Sequence, residues 1–166
     1  DDLPEQAFLN VGGAEAARAK AAELRKSAGE WPAVPMQVQV VSPERVLWSG
    51  EAERVITRVV DEGDIAFLPG HTTYLGQLGA GVTEIAEVGG EVIKVAVHGG
   101  FVEVSDDRVS LLSDQAELAT EIDIARAQAA RERAQVVLRG GDDEEATWAA
   151  KRAETRLRAT GHDEGL

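Results

Sequence analysis

The chain contains no cysteine, which excludes disulfides and thiolate metal sites and permits a reducing compartment. Long apolar runs are also missing, and the opening residues Asp1-Asp2-Leu3-Pro4 lack the character of a leader. Neither a signal peptide nor a membrane span is therefore expected. Basic side chains are scarce: 17 against 30 acidic ones give a formal charge of −13. That balance repels phosphate backbones and anionic lipid, which argues against nucleic acid as a partner and leaves any membrane association to another protein. A phosphate-cradling glycine loop, a metal-ligand cluster and a nucleophile elbow are absent, and His71, His98 and His162 are far apart in sequence. The sequence reads as that of a non-enzyme.

What is present fits one modest core with a small helical appendage, given 166 residues and 43% hydrophobic content. Residues 1–35 differ in character from the rest. Gly12-Gly13 opens a helix-forming run through about Lys26, and Ser27 to Pro35, interrupted by Gly29, Pro32 and Pro35, reads as a linker. Met36 begins a new domain. From Gln37 to Asp114 the apolar pattern is short-period and rich in valine, with turn formers at near-regular intervals, which signals an antiparallel sandwich or barrel. The pattern predicts strands at Gln37–Val41, Arg45–Trp48, Glu53–Val60, Asp64–Phe67, Thr73–Leu78, Gly81–Val88, Glu91–His98, Gly100–Ser105 and Arg108–Ser113. Turns are expected between them, including Ser49-Gly50 and Gly79-Ala80-Gly81. Ile93, Val95 and Val97 alternate with Val92, Lys94, Ala96 and His98, so one sheet face is expected to be buried and the other at least partly wet.

After Thr120 the period becomes helical. A first helix is expected to end at Gly140-Gly141, and a second to run from Asp142 to about Thr160. Joined by a short glycine turn, the two form an antiparallel hairpin whose apolar positions are mainly alanine. Such a hairpin must lean on the sandwich or on a partner, and so is able to detach. Arg126 and Arg133 fall two turns apart on one helical face, with Asp123 one turn before Arg126. Two readings stand open: a pair of guanidinium groups meeting a polyphosphate, or a helix capped by Thr120 or Asp123 with arginines on a solvated face. His98-Gly99-Gly100-Phe101 is expected to mark a bulge or tight bend, with His98 structural. Asp61-Glu62-Gly63-Asp64 reads as a solvated turn and Asp142 to Glu145 as a helix N-terminus stabilised by its own charge.

Several short motifs in fixed order carry a resemblance. They are Val41-Ser42-Pro43-Glu44-Arg45 with Leu47-Trp48-Ser49-Gly50, Gly63-Asp64-Ile65, and Leu68-Pro69-Gly70-His71. His98-Gly99-Gly100-Phe101-Val102-Glu103-Val104, Val109-Ser110-Leu111-Leu112-Ser113 and Glu121-Ile122-Asp123 follow. Over Met36 to about Thr160 the chain resembles the epsilon subunit of the F-type rotary ATP synthase. The resemblance implies a mainly β plus α fold: an antiparallel β-sandwich over residues 36–120 and a C-terminal helical hairpin and tail over residues 121–166. It implies a non-catalytic central-stalk (rotor) subunit whose sandwich binds the gamma subunit and the c-subunit ring. Its hairpin folds down, or extends into the catalytic alpha/beta head and blocks ATP hydrolysis. The complex would place it peripherally on the cytoplasmic side of a bacterial cell membrane.

No cofactor is required in that family, but some bacterial members bind a regulatory ATP at the folded hairpin through a motif that Ile122 to Ala127 matches. Carried over, Glu117 and Asp123 would face the adenine amino group and Arg126 and Arg133 the phosphates, with Arg156 as a further candidate. A free-standing ATP-sensing module is the alternative. Where many relatives have proline after the Pro-Gly-His segment, this chain has Thr72-Thr73-Tyr74.

The leading segment, Leu3-Pro4-Glu5-Gln6-Ala7-Phe8 followed by Val11-Gly12-Gly13 and its helix, resembles the C-terminal end of the beta subunit of the same enzyme. Beta belongs to the stator and epsilon to the rotor, and the linker from Ser27 to Pro35 reaches only about 30 Å when fully extended. A whole beta joined this way would not survive repeated turns. Met36 is therefore the expected functional start, with residues 1–35 an extra N-terminal helix and linker added by gene fusion or a misplaced start.

Overall fold

The computed structural model describes residues 34–162. The N-terminal helix expected before Met36, and nearly all of the linker after it, lie outside the described residues. The described chain runs β1 (Met36–Val41), β2 (Val46–Val59), β3 (Gly63–Phe67), β4 (Tyr74–Glu87), β5 (Val92–Ser105), β6 (Arg108–Leu112) and β7 (Ala116–Leu118). A 3-10 turn at Ala119–Glu121 then leads to α1 (Ile124–Arg139) and α2 (Glu144–Ala159).

Strand order is β1-β6-β5-β4-β2-β3, with β7 on β5, and β1 pairs with β2 as well. The ribbon thus closes on itself through β1. All pairings are antiparallel except β1 with β6, which is parallel. The expected antiparallel sandwich or barrel is thus present with one parallel pair added: a parallel pair needs a crossover, and here the four intervening strands supply it. Period-two alternation drives the burial. Met36, Val38 and Val40 point into the core while Gln37 and Gln39 point out, and Val55, Phe67, Ile85, Val95 and Val102 are fully buried against them. Each such side chain contributes roughly 1.5–3 kcal/mol relative to exposure. β-Branched residues suit this pleated, enclosed setting.

The nine expected strands merge where a glycine was read as a turn. Ser49-Gly50 lies inside β2, Gly79-Ala80-Gly81 inside β4, and His98-Gly99-Gly100 inside β5. β4 and β5 stay in register throughout, with Ala80 opposite His98 and Leu78 opposite Gly100, so the His98 segment is a bend and not a bulge. Gly99 and Gly100 have φ of 119° and 114°, and a Cβ on Gly100 would stand 1.9 Å from the Leu112 carbonyl oxygen. Only glycine permits both the backbone conformation and the approach. At Gly50 the Trp48 ring occupies the missing side chain's place, with Cζ2 2.8 Å from an ideal Cβ.

Thr72 and Thr73 end the loop between β3 and β4, and Tyr74 opens β4. Tyr74 packs on Phe67 at 5.3 Å between centroids and His71 meets Phe67 edge-on at 4.9 Å. The Gly70 N–H donates to the Asp107 carboxylate at 2.6 Å, tying this loop to the β5–β6 turn.

Both helices form close to their expected limits. Asp123 caps α1, accepting from the Arg126 N–H at 2.9 Å, and Asp143 caps α2, accepting from the Ala146 N–H at 2.7 Å. Of the two residues expected to cap α1, Asp123 does so. α2 rests on β4 and β5, and α1 rests on α2. Buried positions on α1 are only Ala127 and Ala134, whereas α2 buries Ala150, Ala153, Leu157 and others. The face of β5 expected to be wet is the face that α2 covers: Ala96 is fully buried, although it is not part of the sandwich core.

Candidate functional site

Between sheet and helix the chain turns sharply, and that turn builds a site. β7 pairs with β5 so that Glu117 stands beside Ala96. The 3-10 turn follows, Asp123 opens α1, and helical spacing carries Arg126 and Arg133 along one face. α2 contributes Arg156 from across the hairpin. These residues line one cleft of about 270 Å³, with Glu121, Ala127 and Ala130 completing the wall. Every residue assigned to the nucleotide motif from sequence, Glu117, Asp123, Arg126, Arg133 and the further candidate Arg156, is in it.

Charge within the cleft is only partly satisfied. Arg156 holds Glu117 by two hydrogen bonds, Nε to Oε2 at 2.8 Å and Nη2 to Oε1 at 3.2 Å. Glu121 is ion-paired with Arg45 from the β1–β2 turn. Arg126 and Arg133 make no direct ion pair among the described residues, although the Arg126 charge reaches Glu117 across the cleft. The Arg156 hydrogen bonds hold the Glu117 carboxyl below its ordinary range, against the opposing effect of burial. Asp123 uses one carboxylate oxygen, Oδ1, on the helix cap, and its other oxygen is not committed to that bond.

A second cleft lies where α2 crosses the sheet, lined by Arg58, Gln77, His98, Trp148 and Lys151 among others. Trp148 is about half exposed, with the Lys151 Nζ 5.2 Å from its ring centroid. Both His98 ring nitrogens are shut off from solvent without a hydrogen-bond partner. Burial, and then the nearby Arg156 charge, push its pKa down to about 4. Sequence reasoning treated His98 as structural and missed its place beneath the hairpin. Glu121 was also missed as a lining residue, because its partner Arg45 is 76 residues away. The Asp61 to Asp64 turn binds Asp64 to Arg58, Nε to Oδ1 at 2.7 Å, and no metal-binding cluster is found among the described residues.

The closed sandwich has a recognised class. A family model described as ATP synthase, Delta/Epsilon chain, beta-sandwich domain matches residues 35–119. The ATP synthase epsilon chain of Streptomyces avermitilis is 43% identical over 127 residues, covering 76% of this chain and 96% of that one. The epsilon chain of Thermobifida fusca is 46% identical over 131 residues, covering 76% and 93%. The chain belongs to the ATP synthase epsilon family. Its members are non-catalytic central-stalk subunits of a complex attached to the membrane, and no helix among the described residues is long and apolar enough to cross one. The fold is also like that of a chain in the Euglena gracilis mitochondrial ATP synthase OSCP/F1/c-ring structure. There the TM-score is 0.59 at 22% identity, over 77% of this chain and 78% of that one.

Proposed function

We propose that this epsilon chain couples the gamma subunit to the c ring through its sandwich, on the cytoplasmic side of a bacterial membrane, and that its hairpin is a nucleotide-responsive brake. Released, the hairpin would extend into the alpha/beta head and block ATP hydrolysis. The observation that carries the brake is the shared cleft. Its residues come from β7, the α1 cap, α1 and α2, surfaces that are together only while the hairpin is docked. A nucleotide bridging them binds the docked form better than the released one and so shifts the population toward docking. Arg126 and Arg133, unpaired by any protein carboxylate among the described residues, would hold the phosphates. Glu117 and the free oxygen of Asp123 would accept from the adenine amino group. ATP would serve here as a ligand, in keeping with a family whose members are non-catalytic subunits.

Calorimetric titration of the full chain with ATP tests the site, with Arg126→Ala, Arg133→Ala as the paired control. Saturable binding that the double variant loses is expected. Absence of binding to the parent chain returns Asp123 to capping and the arginines to the surface. Co-purification separates the rotor subunit from a free-standing ATP sensor, since the first is retained by gamma and the second is not. Family membership favours the first.

Residues 1–35 are proposed to be foreign to the subunit, a beta-subunit-like helical segment followed by a linker. The family match, which starts at residue 35, supports a subunit start near Met36, and the beta-like origin rests on the sequence resemblance alone. Mass measurement of the subunit isolated from assembled, turning enzyme checks it. Recovery of an intact beta fusion would overturn it.

A further inference from the structure

His98 projects from the bend in β5 into the seam between sandwich and hairpin. It lines a cleft with Trp148 and Lys151 of α2 and with Arg58 and Asp61 of the β2–β3 region. Arg152 and Arg156 of α2 and Glu117 of β7 act on it electrostatically. Of these, Glu117 is already taken by Arg156, and Arg152 by Glu145 at 2.8 Å. Neither His98 nitrogen has an acceptor or donor partner, and both are cut off from water. A neutral ring is tolerated there. A protonated ring has two N–H groups, no acceptor for either, and cations on α2 facing it.

We propose that His98 is a proton-sensitive latch: its neutral ring lets α2 lie against β5, and uptake of a proton from solution drives the hairpin off the sandwich. The inference rests on the reading of the hairpin as a detachable element, but needs no nucleotide. Once the hairpin leaves, the ring reaches water and its ordinary proton affinity returns. The docked state is thus the one that resists protonation, and acid favours release.

The pH window follows from the two forms. With an ordinary pKa of 6.5 when released and about 4 when docked, docking is unaffected well above 6.5. It weakens progressively as pH falls from 6.5 toward 4, and the loss saturates below that. Between about pH 7.5 and about pH 5.5 the ratio of released to docked hairpin rises by about tenfold. Glu117, whose ordinary pKa is 4.5 and which Arg156 lowers in the docked form, begins to weaken docking only as pH falls to about 4.5, below the range between about pH 7.5 and about pH 5.5.

The absence of native cysteine makes the test direct. In the full nucleotide-free chain, Glu103→Cys on the sandwich and Glu132→Cys on α1 carry a spin-label pair, and the distance distribution is recorded across the window. The expected result is a long-distance population whose ratio to the docked one grows about tenfold. That growth should vanish in both His98→Gln and His98→Phe. A ratio that does not change with pH, or one that changes equally in both variants, overturns the latch. Arg156→Glu, which sets two carboxylates face to face, is the control for detachability. Release in that control without an acid response in the parent overturns the latch alone. No release in either overturns the detachable hairpin as well.

Discussion

Arg156 on α2 and Glu117 on β7 are joined by two hydrogen bonds, at 2.8 and 3.2 Å, across 39 residues of sequence. Glu117 also borders the cleft that α1 lines, so this one pair fastens the hairpin to the sheet beside the proposed nucleotide site. The pair is partly open to water, with the side chains 24% and 42% exposed. Its worth is therefore modest, about 1 kcal/mol.

Arg156→Gln is expected to lower the free energy of hairpin docking by about that amount, read as faster amide exchange in α2 with the sandwich unchanged. The pair also has an acid limb. The Glu117 carboxyl is held below its ordinary 4.5 in the docked form, so its contribution is present at neutral pH and is lost as pH falls through the lowered value. Arg156→Gln should flatten that limb.

Asp123 caps α1, and in the proposed site it would also meet the nucleotide. Asp123→Ala removes the cap on α1 and should cost about 1 kcal/mol of helix stability, measured by exchange at the first-turn amides. Asp123→Asn keeps a capping oxygen and removes the charge. It should leave those amides protected, so a loss of ATP binding in that variant would report the ligand role alone.

Inside the core, the Thr57 and Thr83 hydroxyls meet at 2.7 Å, with the residues 1% and 0% exposed. Thr57→Val strands the Thr83 hydroxyl and should cost about 1–3 kcal/mol in urea unfolding. Thr57→Val with Thr83→Val should recover most of that loss, because no polar group is then left unpaired.

Gly100→Ala places a methyl group against the Leu112 carbonyl in a positive-φ conformation. The expected cost is about 3 kcal/mol or more, seen as a lower urea midpoint. Gly90→Ala, in the β4–β5 turn, also has positive φ but meets no atom within 4 Å, and should lose roughly 1–2 kcal/mol from backbone strain alone.

The two arginines facing the cleft were legible in the sequence because both sit on one helix, where spacing alone fixes the face. The pairs Arg156 with Glu117 and Arg45 with Glu121 were not, since each depends on how distant elements dock. Resemblance to the family supplied Glu117, and no local pattern would have. Strand existence was plain from alternation in Met36, Val38 and Val40, whereas strand joins were hidden. Gly79 and Gly99 inside a bend look the same in sequence as glycines in a turn. β7, only three residues long, is too short to show a period. The parallel β1–β6 pairing was likewise out of reach, because nothing local in either strand records its neighbour.

β4 and β5 remain matched from Tyr74 with Val104 to Ala86 with Val92, straight through the glycine bend. One residue inserted at Gly79 or Gly99 would turn every side chain beyond it to the opposite face, setting core valines toward solvent. Natural length variants of this sandwich should therefore change at the Leu68–Thr73 loop, at Val88–Glu91 or at Asp106-Asp107, and leave the long hairpin between them at constant length.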